Sequence, residues 1–145
     1  MSDRTAEVVW EGDLRAGSGR ATFGSGSLPA VGMTWASRTE APGGGTSPEE
    51  LIAAAHAGCY AMGLANLLAR EEHRAESLRV AATVTFEVLE SGPKITRSAL
   101  SVTGRVPGVD ASAFEDAARR GEQRCPVSNA LRGNVELTLE AKLEG

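Results

Sequence analysis

Residues 47–70, SPEELIAAAHAGCYAMGLANLLAR, carry the strongest helix signal in the chain. Ser47 can cap free backbone N–H groups, and Pro48 sits at the first helical position, where its missing N–H costs nothing. Glu50 completes a capping box with Ser47, and Glu49 and Glu50 both lie at the positive end of the helix dipole. From Leu51 to Ala69 the residues are almost all apolar or small, interrupted by His56, Tyr60 and Asn66, until the charged run Arg70–Arg74 ends the pattern. A run of this length could span a bilayer. However, it is built mostly of alanine and glycine and contains a histidine and an asparagine, which argues against a membrane. A helix apolar on all sides and outside a membrane is expected to be enclosed by protein. The expectation is a long central helix.

Upstream, short strand-like runs alternate with glycine: Ala6–Trp10, Gly19–Phe23 and Gly32–Ala36, with Gly17, Gly24 and Gly26 as turn markers. These predict an antiparallel meander, followed by a glycine-rich loop from Arg38 to Gly45. Downstream, Leu78–Leu89 and Lys94–Val106 are two strand candidates joined at Ser91-Gly92-Pro93, the first alternating in polarity as a half-buried strand. Asp110 caps a predicted helix over Ala111–Arg124. Pro126 disfavours helical geometry at Cys125, and a helical turn near Ser128–Leu131 precedes a strand over Val135–Leu143. The order βββ-α-ββ-α-β predicts an α+β fold with antiparallel sheets around the central helix, in one domain spanning 1–145.

Composition restricts function without specifying it. The chain has 145 residues, 41% hydrophobic and 23% charged, with a formal net charge of −4. That is a soluble globular profile with no electrostatic footprint for nucleic acid or an anionic membrane. The N-terminal residues lack a basic segment followed by an apolar run, so a cytoplasmic location is expected. In a reducing compartment a permanent disulfide between Cys59 and Cys125 would be unusual, which leaves them inert or chemically active.

Position alone reads Cys59, in mid-helix, as a buried space-filler. Cys125 differs, because it ends a helix beside Arg119, Arg120 and Arg124, where a thiol is expected to be more exposed and to ionise more easily than in a core. The two cysteines are too far apart for a structural zinc site, even with His56 and His73, and no C-x-x-C occurs. His56 lies three residues before Cys59 on the same helix face. It is either a core histidine bonded to a neighbour or the base of a Cys-His hydrolase or transferase, which would also need an orienting group and an oxyanion hole.

The run from Gly45 to Met62, with Ala-Ala-His-Ala-Gly-Cys59 at its centre, resembles the nucleophile segment of the OsmC/Ohr family of organic hydroperoxide reductases. The later Arg124-Cys125-Pro-Val-Ser-Asn-Ala-Leu131 is similar to the family's resolving-cysteine motif. The opening Trp10-Glu-Gly-Asp and the Val-Ser after Cys125-Pro126 resemble the OsmC branch, whereas Ohr proteins tend to carry an aromatic after that proline. Gly58 stands where alanine is more usual.

The resemblance implies a thiol peroxidase in oxidative or osmotic stress defence, with four catalytic residues. Cys59 would attack the peroxide, Cys125 would resolve the resulting sulfenic acid, Arg38 would stabilise the thiolate, and Glu49 would hold Arg38 in place. It also implies organic hydroperoxide substrates, an external lipoyl-type dithiol as reductant, no cofactor or metal, and an intertwined homodimer. Burial would raise the Cys59 pKa, and arginine can counter that without giving up its own proton. An apolar pocket beside Cys59 is expected, favouring alkyl or fatty-acid hydroperoxides over H₂O₂, with Met33, Trp35, Met62 and Phe114 as candidate walls. Ten helical residues rise about 15 Å and leave Glu49 roughly 80° around the axis from Cys59. Either Arg38 spans that gap or Glu49 serves the Cys59 of a second chain, so a dimer with sites built from both chains is expected. A lipid-binding module of the same fold is the further alternative.

Overall fold

The computed structural model describes residues 1–145 and divides into two compact units, 1–51 and 52–145. In the first unit β1 (Ala6–Glu11), β2 (Ser18–Phe23) and β3 (Val31–Met33) form the expected antiparallel meander, in the order β1-β2-β3. The third run departs from expectation. Its strand stops at Met33, and residues 35–39 form a short helix, α1 (Trp35–Thr39), so Arg38 is helical rather than in the loop. The cause is local. Thr34 Oγ1 accepts from the Ser37 N–H at 3.0 Å, while Ser37 Oγ accepts from the Thr34 N–H at 2.9 Å. Such reciprocal side-chain bonds offer the backbone an alternative to the sheet ladder.

Helix α2 (Pro48–Arg70) starts in the first unit and runs on through the second. Ser47 Oγ accepts from the Glu50 N–H at 3.1 Å, as the cap signal requires. The Glu50 carboxylate is taken by the Thr46 hydroxyl at 2.6 Å, so it is Thr46 that meets it in place of the Ser47 backbone.

The second unit contains β4 (Ser77–Leu89), β5 (Gly92–Arg105), α3 (Ala111–Arg124), α4 (Pro126–Leu131) and β6 (Glu136–Leu143). β4 and β5 are an antiparallel pair with a register shift at Thr85/Phe86. β6 pairs with β5 in parallel, so this sheet is mixed and not antiparallel throughout. The reason is the connection: α3 and α4 carry the chain back along the sheet, and a crossover of that length returns the strand in its original direction. Asp110 caps α3 by accepting from the Ala113 N–H at 2.8 Å.

The core of this unit gathers Tyr60, Leu64, Leu67 and Leu68 of α2, Leu100 and Val102 of β5, and Phe114, Ala117 and Ala118 of α3. The Tyr60 hydroxyl donates to the Ala118 carbonyl at 3.0 Å, which satisfies its one polar atom. Gly104 lies under the Phe114 ring, and a Cβ there would sit 2.5 Å from two ring carbons. Gly104→Ala is therefore expected to lower the urea midpoint of unfolding, at a cost of about 1–3 kcal/mol from overpacking.

The central helix is not enclosed on every side by its own chain. His56, Tyr60, Leu64, Leu67 and Leu68 are buried, whereas Ala54, Ala55, Gly58, Met62 and Ala65 are exposed, Met62 at 71%. By length and composition α2 could cross a membrane. Its buried face is packed into protein, as in a core helix. One short chain covers one stripe of an all-apolar helix and leaves the opposite stripe open.

Candidate active site

The two cysteines approach each other within the second unit. Both are free thiols, Cys59 partly exposed and Cys125 buried. Cys59 packs against the core cluster that contains Cys125. Burial pushes the Cys59 thiol up, the Val127 N–H draws it down, and the neighbouring Cys125 pushes it up again. Within its own unit, then, Cys59 is held towards the protonated form.

Cys125 occupies the break between two helices. It ends α3, its N–H bonding to the Glu122 carbonyl at 3.1 Å, and it caps α4, its Sγ accepting from the Ser128 N–H at 3.5 Å. Pro126 forces this break, because the residue before proline is kept out of helical geometry. Cys125 shows φ −71° and ψ 118°, an extended conformation. Sequence reading anticipated the break at Cys125 and a helical turn after it, although α4 begins at Pro126 and not near Ser128. It did not anticipate that the Cys125 sulfur itself would cap α4 by accepting from the Ser128 N–H.

His56 has a separate task. Its Nδ1 lies 2.7 Å from Ser98 Oγ and its Nε2 lies 2.7 Å from Ser128 Oγ, with all three residues completely buried. Burial lowers its pKa, against a smaller opposing influence of Glu122, so the ring is held neutral. A neutral imidazole has one donor and one acceptor nitrogen, and serine hydroxyls can answer either. Both ring nitrogens are engaged, and Cys59 is not their partner. This removes the Cys-His hydrolase or transferase, which needs a ring nitrogen directed at the thiol. Ser98 and Ser128 were missed at the sequence level. The available signal was an inward-facing serine on β5 and a serine two residues after Pro126, both able to satisfy a lone core histidine.

Arg38 and Glu49 form their own pair in the first unit. Arg38 Nε donates to Glu49 Oε1 and Oε2 at 3.1 and 3.2 Å, and Nη2 donates to Oε1 at 2.8 Å. The carboxylate is buried and the guanidinium half-buried, a two-pronged contact that fixes the plane of the arginine. The Ser37 hydroxyl donates to the Thr46 carbonyl at 2.7 Å, tying α1 to the residues that lead into α2. Beside Arg38 lies a cavity of about 410 Å³ lined by Trp10, Leu14, Met33, Thr34, Trp35 and Pro48. Of the expected wall residues, Met33 and Trp35 line this cavity. Phe114 does not serve as a wall, because α3 buries its one aromatic fully in the core.

The family model described as "OsmC-like protein" matches residues 41–140, more than half of the chain. Peroxiredoxin OsmC of Escherichia coli (strain K12) is 36% identical over 139 residues, covering 96% of each chain. An organic hydroperoxide resistance protein of Xanthomonas axonopodis pv. citri is 30% identical over 122 residues, 83% of this chain and 84% of that one. Among solved structures, the organic hydroperoxide resistance protein OhrB of Bacillus subtilis superposes with a TM-score of 0.75 at 28% identity, covering 95% of this chain and 98% of that chain. The α+β arrangement of two small sheets and four helices is shared with such structures.

Proposed function

The chain belongs to the OsmC-like family, and on that premise we propose that it reduces organic hydroperoxides to alcohols with Cys59 as nucleophile and Cys125 as resolving thiol. The names of its relatives support hydroperoxide-related redox chemistry of the peroxidase type. The observation that supports the finer reading is the packing of Cys59 against the core cluster that contains Cys125.

The Cys59 thiolate attacks the terminal oxygen of ROOH. The O–O bond breaks, Cys59 becomes a sulfenic acid, and RO⁻ takes a proton and leaves as ROH. The Cys125 thiolate then attacks the Cys59 sulfur. The S–O bond breaks, hydroxide takes a proton and leaves as water, and a Cys59–Cys125 disulfide forms. An external dithiol of the lipoyl type reduces it by two exchange steps. Because that disulfide must be reopened at every turnover, the cycle suits a reducing compartment, and we place the protein in the cytoplasm.

The Arg38 guanidinium, oriented by Glu49, would supply the positive charge that the Cys59 thiol lacks within its own unit and would bond the peroxide oxygen on which charge develops. The cavity beside Arg38, walled by Trp10, Leu14, Met33 and Trp35, suits an alkyl or fatty-acid chain better than H₂O₂. Consumption of cumene hydroperoxide and of H₂O₂ with dihydrolipoamide as reductant tests this reading. The expected result is a preference for cumene hydroperoxide; an inert protein with either peroxide would overturn the assignment.

A homodimer belongs to the same proposal. The open stripe of α2, with Ala54, Gly58 and Met62, is small and apolar, as a close helix contact requires, and glutamate and cysteine ten residues apart on one helix are held about 15 Å from each other along it. Sedimentation is expected to show a dimer at micromolar concentration. Met62→Glu, which would bury a charge at a cost of about 2 kcal/mol or more, is expected to weaken it at least roughly 30-fold. A fully active monomer would refute the shared site.

A further inference from the structure

The turn from Cys125 to Ser128 carries the second thiol and the group that fixes it. Cys125 belongs to the core cluster against which Cys59 packs, and Ser128 directs its N–H at Cys125 Sγ. The same Ser128 is tied through its hydroxyl to His56 Nε2, while Ser98 on β5 holds the ring from the other side. His56 stands one helical turn before Cys59 on α2, so the clamp and the nucleophile share one rigid strip of helix. Hydrogen bonds between completely buried groups are costly to leave unmade, which makes this link stiff.

We propose that His56, together with Ser98 and Ser128, is a positioning residue that holds the Cys125–Ser128 turn in register with Cys59, so that the second thiol attacks from a fixed geometry. The proposal rests on the reading of Cys59 and Cys125 as attacking and resolving thiols. His56 itself touches neither sulfur. Its contribution is to the effective concentration of Cys125 at Cys59, since disulfide formation tolerates a narrow range of Cα separations and side-chain directions. Loss of the clamp leaves the turn attached through the backbone but free to shift. Resolution then slows, the Cys59 sulfenic acid survives longer, and a second peroxide can oxidise it to the sulfinic acid.

The test separates the two chemical steps and needs no peroxide. With dithiodipyridine, the Cys59 thiolate opens the reagent disulfide, forming a mixed disulfide and releasing one thiopyridone. Cys125 then displaces the second thiopyridone and closes the Cys59–Cys125 bond. In stopped flow, His56→Ala and Ser128→Ala are expected to slow the second release roughly 10- to 100-fold and the first only a few-fold. His56→Gln places an amide nitrogen near the Nε2 position and should recover much of the second rate. His56→Asn mimics the Nδ1 side facing Ser98 and should not. With cumene hydroperoxide, mass spectrometry should find more Cys59 sulfinic acid in His56→Ala and Ser128→Ala than in wild type.

A second release at the wild-type rate in His56→Ala and Ser128→Ala would overturn the proposal. Equal slowing of both releases would also overturn it, because that is the signature of a general loss of structure. Should His56→Ala fail to fold, Ser128→Ala and the glutamine–asparagine contrast decide. A wild type with fast second release but no peroxide consumption would refute the peroxidase reading and leave this one standing.

Discussion

Cys59→Ser is expected to abolish hydroperoxide turnover, with a loss of roughly 10³-fold or more, because a serine alkoxide is inaccessible at neutral pH and no other group on the chain replaces the thiolate. Cys125→Ser should behave differently. It should consume about one equivalent of peroxide per chain and then stop, with dimedone trapping the Cys59 sulfenic acid. The contrast between a dead variant and a single-turnover variant, read by peroxide consumption and by intact mass, distinguishes attacking from resolving thiol. If the two variants lost activity alike with no trapped sulfenate, the assignment of roles would fail. Because the neighbouring Cys125 pushes the Cys59 thiol up and the Val127 N–H draws it down, the serine at 125 removes the first influence and leaves the second.

Arg38→Met is expected to reduce kcat/KM by roughly 10²–10³-fold, the cost of removing a preorganised donor to developing negative charge. The direction of the pH effect follows from the thiolate being the reactive form. Burial already pushes the Cys59 thiol upward, so if Arg38 has the proposed role, its loss should raise the thiol further and move the midpoint of the rate–pH profile to higher pH. Arg38→Lys keeps the charge but loses the two-pronged contact with Glu49, and should recover the pH midpoint better than the rate. Removing Arg38 also strands a buried carboxylate, which would lower stability by about 1–3 kcal/mol. The double variant Arg38→Met/Glu49→Gln controls for that. It should regain the stability but not the activity, and recovery of both would show that Arg38 is merely structural.

The parts of the molecule that depend on neighbours in sequence were legible without coordinates. Ser47 and Pro48 set the start of α2, Asp110 capped α3, and the alternation along Leu78–Leu89 and Val135–Leu143 marked strands. Expectation failed where short-range chemistry was misjudged. Thr34 and Ser37 make a capping box with serine rather than a glutamate at its fourth position, so the pattern continued as a strand through Ala36 when the chain had already turned into α1.

By itself the sequence determined the main helices and strands apart from α1 and the end of β3, the break at Cys125 imposed by Pro126, and, through the paired motifs around Cys59 and Cys125, the family and its class of chemistry. Tertiary structure alone decided the parallel pairing of β6, the exposure of one face of α2 and the fate of His56. The physical reason is range. The two serines that take the ring nitrogens stand 42 and 72 residues away, and a hydrogen bond across such a separation leaves no periodicity or spacing to read. A histidine one turn before a cysteine looks like a base in sequence. Folding gives its nitrogens to Ser98 and Ser128 and leaves Cys59 packed against the core cluster that contains Cys125.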